Sequence, residues 1–165
     1  MHRYDEGFFY PVNAESNYDC VGHGRGEGFS VNIPWNQSTA GDSEYVAAFL
    51  RVVMPVAYQV TWFIQYEFHF KALIFVVVEK FNPDLVLISA GFDGAVGDPL
   101  GGFNISPNGF AQMTKMMSFL ANGKVIMGLE GGYNLTSISE SMNSCASVLL
   151  GDTCPSLPPI NAKPQ

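Results

Sequence analysis

The chain is short of charge, and of cations above all. Of its 165 residues only 8 are Lys or Arg, against 15 Asp or Glu, for a formal charge of −7. The basic residues are scattered, so no stripe for nucleic acid is present, and nothing draws the chain to an anionic membrane. A cationic substrate or partner is better tolerated. Cysteine is scarce too. Cys20, Cys145 and Cys154 form an odd set whose spacing fits neither a zinc ribbon nor a CxxC pair. Reduced thiols in a cytoplasmic or nuclear compartment are therefore expected. The opening MHRYDEGFFYP has no basic region followed by an apolar core, so no signal peptide is expected. His2, His23 and His69 make no HExxH or HxH pair, the patterns from which zinc hydrolases build sites. Apolar residues, by contrast, make up 47% of the chain and charged ones 14%, which excludes a disordered tail and requires much of the chain to be buried or to meet another surface. The length suits one domain with a real core.

Residues 1–27 are rich in Gly, Asn, Asp and Tyr without a lasting period and read as loop. GFSVNI at 28–33 is a short β-prone run that Pro34 should end. Asp42 and Ser43 are candidate caps for a helix over 44–58, with Val46, Phe49, Leu50 and Val53 on its buried face and a kink or stop at Pro55. After Asn82-Pro83, DLVLISA at 84–90 reads as a strand covered on both faces, as in a parallel sheet. A glycine-rich loop leads to Ser106-Pro107, an N-cap and first-turn proline for a helix to about Ala121, with Gly123 at its C-terminal end. KVIMGLE at 124–130 is a second strand, GGYN a turn, and 136–150 a last helix before a Pro-rich, frayed tail. Strand, loop, helix, strand, loop, helix signals a parallel α/β sheet. Ligands bind such sheets at the strands' carboxyl ends, so loops 90–105 and 130–134 should build any site.

Three motifs stand out. In SAGFDGAVGDPLGG, Asp93 leaves a strand among glycines, where a carboxylate can ligate a cation such as zinc. By spacing alone Asp93 and Asp98 read first as turn or helix caps, Asp98-Pro99 especially. In LEGGYN, Gly131 and Gly132 permit close backbone approach, and the Tyr133 hydroxyl can donate to an oxyanion, although a packed tyrosine after a tight turn is the plainer reading. GHGRGEG precedes a β-prone run instead of following a strand, so it is a surface loop, not a dinucleotide site, and His23 within it should be solvent-exposed.

Taken in order, HRYDEGFFYP, GRGEGFSVNIPWN, FNPDLVLISAGFDGAVGDPLGG and LEGGYNL closely resemble zinc-dependent histone deacetylases of class II, nearest the tubulin-deacetylase type of class IIb. The likeness covers nearly the whole chain except 60–80 and the tail. It implies the C-terminal part of the arginase/deacetylase fold, a parallel sheet flanked by helices. It implies hydrolysis of acetyl-lysine amides on histone, tubulin or other proteins, without nucleic-acid or membrane partners, in cytoplasm or nucleus. It implies that Asp93 is a Zn2+ ligand and that Tyr133 polarises the acetyl carbonyl. Tyr10, with Phe9 beside it, matches the aromatic before the motif's proline that lines the substrate channel, and Gly131 and Gly132 belong to the same wall. The residue after GDP also faces that channel. It is acidic in polyamine-preferring relatives and is Leu100 here, which argues for acetylated protein over acetylated polyamine.

The same likeness places tandem histidines and an Asp-x-His zinc pair upstream of the HRYD motif. The 165 residues therefore carry one of three zinc ligands and no general base, and the chain alone is expected to be inactive. Residues 1–151 form the partial deacetylase domain and 152–165 the tail. Residues 60–79, VTWFIQYEFHFKALIFVVVE, are an apolar insertion between segments that nearly adjoin in the family. Their length suits a membrane span, but Glu67, His69 and Lys71 at the centre count against one. Intron-derived sequence is the preferred explanation, and a transcript joining codon 59 to FNPDL would support it.

Overall fold

The computed structural model describes residues 1–37, 39–58 and 83–158. The 60–79 insertion lies outside the described residues, as does the tail from 159. The elements are β1 (His2–Arg3), β2 (Pro34–Trp35), α1 (Asp42–Ala48), a π-helical segment (Phe49–Val53), α2 (Met54–Tyr58), β3 (Val86–Ala90), α3 (Pro107–Met117), β4 (Val125–Leu129) and α4 (Leu135–Leu149).

β3 and β4 pair in parallel, in register from Val86 opposite Val125 to Ala90 opposite Leu129. This is the parallel α/β unit that the alternating order predicts. One face is covered. Val86, Ile88 and Val125 pack with Met54 of α2, Met116 of α3 and Leu120. Further along, Ala90 and Met127 meet Phe92, Phe110 of α3, and Ile138, Met142 and Cys145 of α4. The opposite face is open among the described residues, with Leu87 70% exposed and Leu85 and Ile126 also exposed. Among the described residues the apolar run is covered on one face only, as expected where most of the parallel sheet is missing.

The helix expected over 44–58 forms, but its register differs. Tyr45 and Met54 are buried, while Leu50, assigned to the core face, is 58% exposed. The π segment is the reason. Met54 N–H bonds to Phe49 O, five residues back, so the inward stripe runs Tyr45, Phe49, Met54 with one interval stretched to five. The wider turn lies just before Pro55, which has no N–H to continue the ordinary ladder. The cap differs as well. Gly41 holds the N-cap position, and Glu44 accepts its N–H at 2.9 Å. Asp42 instead reaches across the chain, accepting the Ser106 N–H at 2.8 Å and its hydroxyl at 2.6 Å. It thereby fixes the start of α1 against the start of α3.

No strand forms at 28–33. Extended pairing begins at Pro34, where the expected run was to end, because the available partner is β1. His2 N–H donates to Ile33 O and Tyr4 N–H to Trp35 O, so Pro34 is never asked to donate. Ser106 caps α3 through the Gly109 N–H, as expected. The helix stops at Met117, earlier than Ala121, since Phe119 and Leu120 N–H turn back to carbonyls three residues away. Gly123 (φ 79°) closes the next short turn and not the helix itself. The tail is anchored near its start: Gln112 and Asn108 of α3 donate to Pro155 O and Ser156 O. All three cysteines are free thiols, and no described helix is long and apolar enough to cross a membrane.

Candidate active site

The β3–β4 ladder continues past both strands. Glu130 N–H donates to Ala90 O at 3.0 Å, and Phe92 N–H to Gly131 O at 2.8 Å. Two residues beyond the sheet, the SAGFD and EGGYN motifs are therefore still zipped together. Phe92 turns into the core against Phe110, with ring centroids 5.0 Å apart. Alternation then turns Asp93 the other way. Glycines make room for it. A Cβ on Gly91 would sit 3.0 Å from Asp93 Oδ1, and one on Gly131 would sit 3.3 Å from Oδ2. A Cβ on Gly101 would overlap the Asp93 carbonyl oxygen. Gly91 and Gly131 thus flank the carboxylate and Gly101 crowds the Asp93 backbone, at the carboxyl edge of the sheet, where an α/β protein builds its site.

The second candidate, Tyr133, follows Gly132 (φ 131°), whose missing side chain leaves room for Ile138 and Phe92. Gly132 thus serves the packing of the turn. The Tyr133 side chain is 59% exposed. Its backbone is held by Asp98, which was foreseen only as a cap. Asp98 Oδ1 does cap its own turn, accepting the N–H groups of Leu100 (2.8 Å) and Gly101 (3.0 Å). Its other oxygen accepts the Tyr133 N–H at 2.7 Å. Asn134, the N-cap of α4, donates to Gly97 O, and Ser137 donates to Val96 O.

The N-terminal motif closes the third side. Arg3 pairs with Asp5 at 2.7 Å, donates to Gly101 O at 2.9 Å and lies 4.4 Å over the Phe9 ring. Sequence reasoning gave Arg3 no role, and its link to Gly101 spans 98 positions. A cavity of about 360 Å³ lies beside Asp93, lined among others by His2, Phe9, Tyr10, Tyr45, Asp93 and Glu130, with Tyr133 and Gly132 outside the lining. Tyr10 nevertheless remains 84% exposed, and Leu100 stands 57% exposed on the loop outside the lining. Gly131 lines the cavity. Burial, and secondarily the Asp93 charge, push the Tyr45 hydroxyl far above its ordinary pKa, so it stays protonated. His23 is exposed, as expected.

A tetrahedral zinc needs three or four protein ligands, or three and a water. Asp93 is one. His2 shares the cavity, but its Nε2 is within 2.9 Å of Ser16 O. Among the described residues no three His, Cys, Asp or Glu side chains converge to hold a metal. The described residues therefore do not fit a resident zinc by themselves.

The parallel layer and the helices on it define an α/β protein, with the Asp93 loop and the Tyr133 turn as its candidate site at the strand ends. Comparison with known proteins names the class. Residues 1–149 match the histone deacetylase domain. Histone deacetylase 6 of Caenorhabditis elegans is 50% identical over 149 residues, covering 90% of this chain and 13% of that protein. Polyamine deacetylase HDAC10 of Homo sapiens is 44% identical over 156 residues, covering 94% and 20%. The solved structure of the histone deacetylase Clr3 superposes with a TM-score of 0.81 at 44% identity, over 99% of this chain and 24% of that one. The chain belongs to the histone deacetylase domain family and has the arginase/deacetylase fold in part. It spans between 13% and 26% of the length of the curated relatives it matches.

Proposed function

We propose that this chain supplies one wall of the catalytic site of a protein lysine deacetylase, nearest the tubulin-deacetylase type of class IIb. The observation that carries the reading is the extended ladder, which brings the Asp93 loop and the Tyr133 turn to one edge of the sheet. Tyr133 is the oxyanion donor for the acetyl carbonyl. Loss of one such donor typically costs on the order of 100- to 1000-fold in rate. Asp93 is one ligand of the family's zinc, and among the described residues no three His, Cys, Asp or Glu side chains converge to complete that site. On this reading the chain needs groups beyond the described residues to turn over substrate, and by itself it releases no acetate. Phe9, held by Arg3, and Tyr10 pack against the alkyl part of an acetyl-lysine. The substrate is an acetylated protein of histone or tubulin type, in cytoplasm or nucleus. The exposed, apolar Leu100 offers a polyamine's ammonium groups no counter-charge. Residues 1–151 act as the partial domain.

The test is a chimera of the Schizosaccharomyces pombe deacetylase Clr3, a relative 46% identical over 154 residues, in which residues 1–149 replace the matching segment. Acetate release is followed from an acetyl-lysine peptide and from an acetylated polyamine. The account expects peptide hydrolysis to exceed polyamine hydrolysis, and the chain alone with zinc to release none. A folded chimera that binds peptide without turnover would favour a non-catalytic binding role. One that hydrolyses only polyamine would overturn the substrate class.

A further inference from the structure

We propose that Asp98 is the positioning residue that fixes the Tyr133 turn against the Asp93 loop. This deepens the deacetylase reading and rests on it for the role of Tyr133. A turn cap needs one acceptor, and Asp98 Oδ1 already serves Leu100 and Gly101. The cap alone gives Oδ2 no task, yet Oδ2 accepts from Tyr133 N–H across 35 positions, at 2.7 Å. Such a bond to an ionised acceptor is about twice as strong as a neutral one.

Tyr133 needs this anchor. Its side chain is mostly exposed, so packing does not fix it, and it follows two glycines, the second at φ 131°. The other arm grips the Asp93 side. Gly101, whose N–H Asp98 holds and whose carbonyl Arg3 holds, is wedged against the Asp93 backbone. One carboxylate thus joins the segment that crowds Asp93 to the peptide that carries Tyr133. Asn134 to Gly97 and Ser137 to Val96 tie the neighbouring backbone independently of Asp98. Removing the Asp98 carboxylate should therefore loosen Tyr133 and leave the fold.

The test is amide hydrogen exchange in the full chain. Asp98→Ala should speed exchange at Leu100, Gly101 and Tyr133 by roughly 10- to 100-fold, the range for losing hydrogen bonds to a charged group. Ile88 in β3 and Cys145 in α4 should be unchanged. Asp98→Ser, the second variant should Asp98→Ala fail to fold, keeps an oxygen for the loop cap but is too short to reach Tyr133. It should speed Tyr133 while Leu100 stays protected. Unchanged exchange at Tyr133 in both variants overturns the proposal. In the Clr3 chimera, Asp98→Ser should lower kcat at least 10-fold with KM within about 2-fold, and should add nothing to Tyr133→Phe, as expected for groups that act as a unit. Additive losses would overturn it. Turnover untouched by Tyr133→Phe counts against the deacetylase reading and not against the anchor, which the exchange rates decide.

Discussion

Gly101→Ala is the sharpest perturbation of the site's frame. A Cβ there overlaps the Asp93 carbonyl oxygen and comes within 2.5 Å of its carbon. Both atoms are backbone, so no rotamer change relieves the clash. Overpacking typically costs about 1–3 kcal/mol where side chains can shift. With only backbone to move, about 3 kcal/mol is the expected minimum. Two other glycines calibrate it. Gly128, on the open face of β4, would place a Cβ with nothing within 4 Å, and its alanine variant should not destabilise. Gly24 is equally open but lies at φ 59°, so Gly24→Ala should cost about 1 kcal/mol from conformation alone. With a urea slope of about 2 kcal/mol per molar, Gly101→Ala should lower the unfolding midpoint by about 1.5 M and Gly24→Ala by about 0.5 M. Gly128→Ala should not lower it. A Gly101→Ala midpoint within about 0.3 M of Gly128→Ala, at unchanged slope, would refute the placement of Gly101 against Asp93.

Burial raises the Cys145 thiol pKa, and the thiol is enclosed by α4 and Phe92. In native protein a thiol reagent at pH 8 should label Cys20 and Cys154 and spare Cys145 until urea is added, and prompt labelling of all three would contradict the packing. Glu44 is held below the ordinary carboxylate range, first by the Gly41 N–H and then by its own. A lowered folded value stabilises above the unfolded pKa of about 4.3 and is lost as pH falls through the folded value. The urea-midpoint gap between wild type and Glu44→Gln should therefore be present at pH 7 and close in acid. A gap that stays constant down to pH 2 would show that Glu44 carries no such linkage.

Where structure is set locally, it was legible. Ser106-Pro107 announces α3, and the apolar runs at 84–90 and 124–130 announce β3 and β4. The extended run at 28–33 misled because a strand needs a partner, and β1 offers one only from Pro34 onward. The Leu50 face misled because a 3.6-residue period has no place for the π turn before Pro55. At the site, Asp93 and Tyr133 stood out through their glycine-rich surroundings and through the family likeness. Arg3 and the second arm of Asp98 did not, because their partners lie 98 and 35 positions away and no spacing rule spans such distances. Asp42 shows the same limit: it looks like a cap for its own helix, yet bonds to Ser106, 64 positions on.

The most direct test of the account is the turnover of an acetyl-lysine peptide by the Clr3 chimera bearing Tyr133→Phe. Removing the hydroxyl while keeping the ring should lower kcat on the order of 100- to 1000-fold with little change in KM, because the donor acts on charge that develops in the transition state. A Tyr133→Phe chimera with the kcat of its parent would contradict the assignment of this edge of the sheet as a deacetylase site.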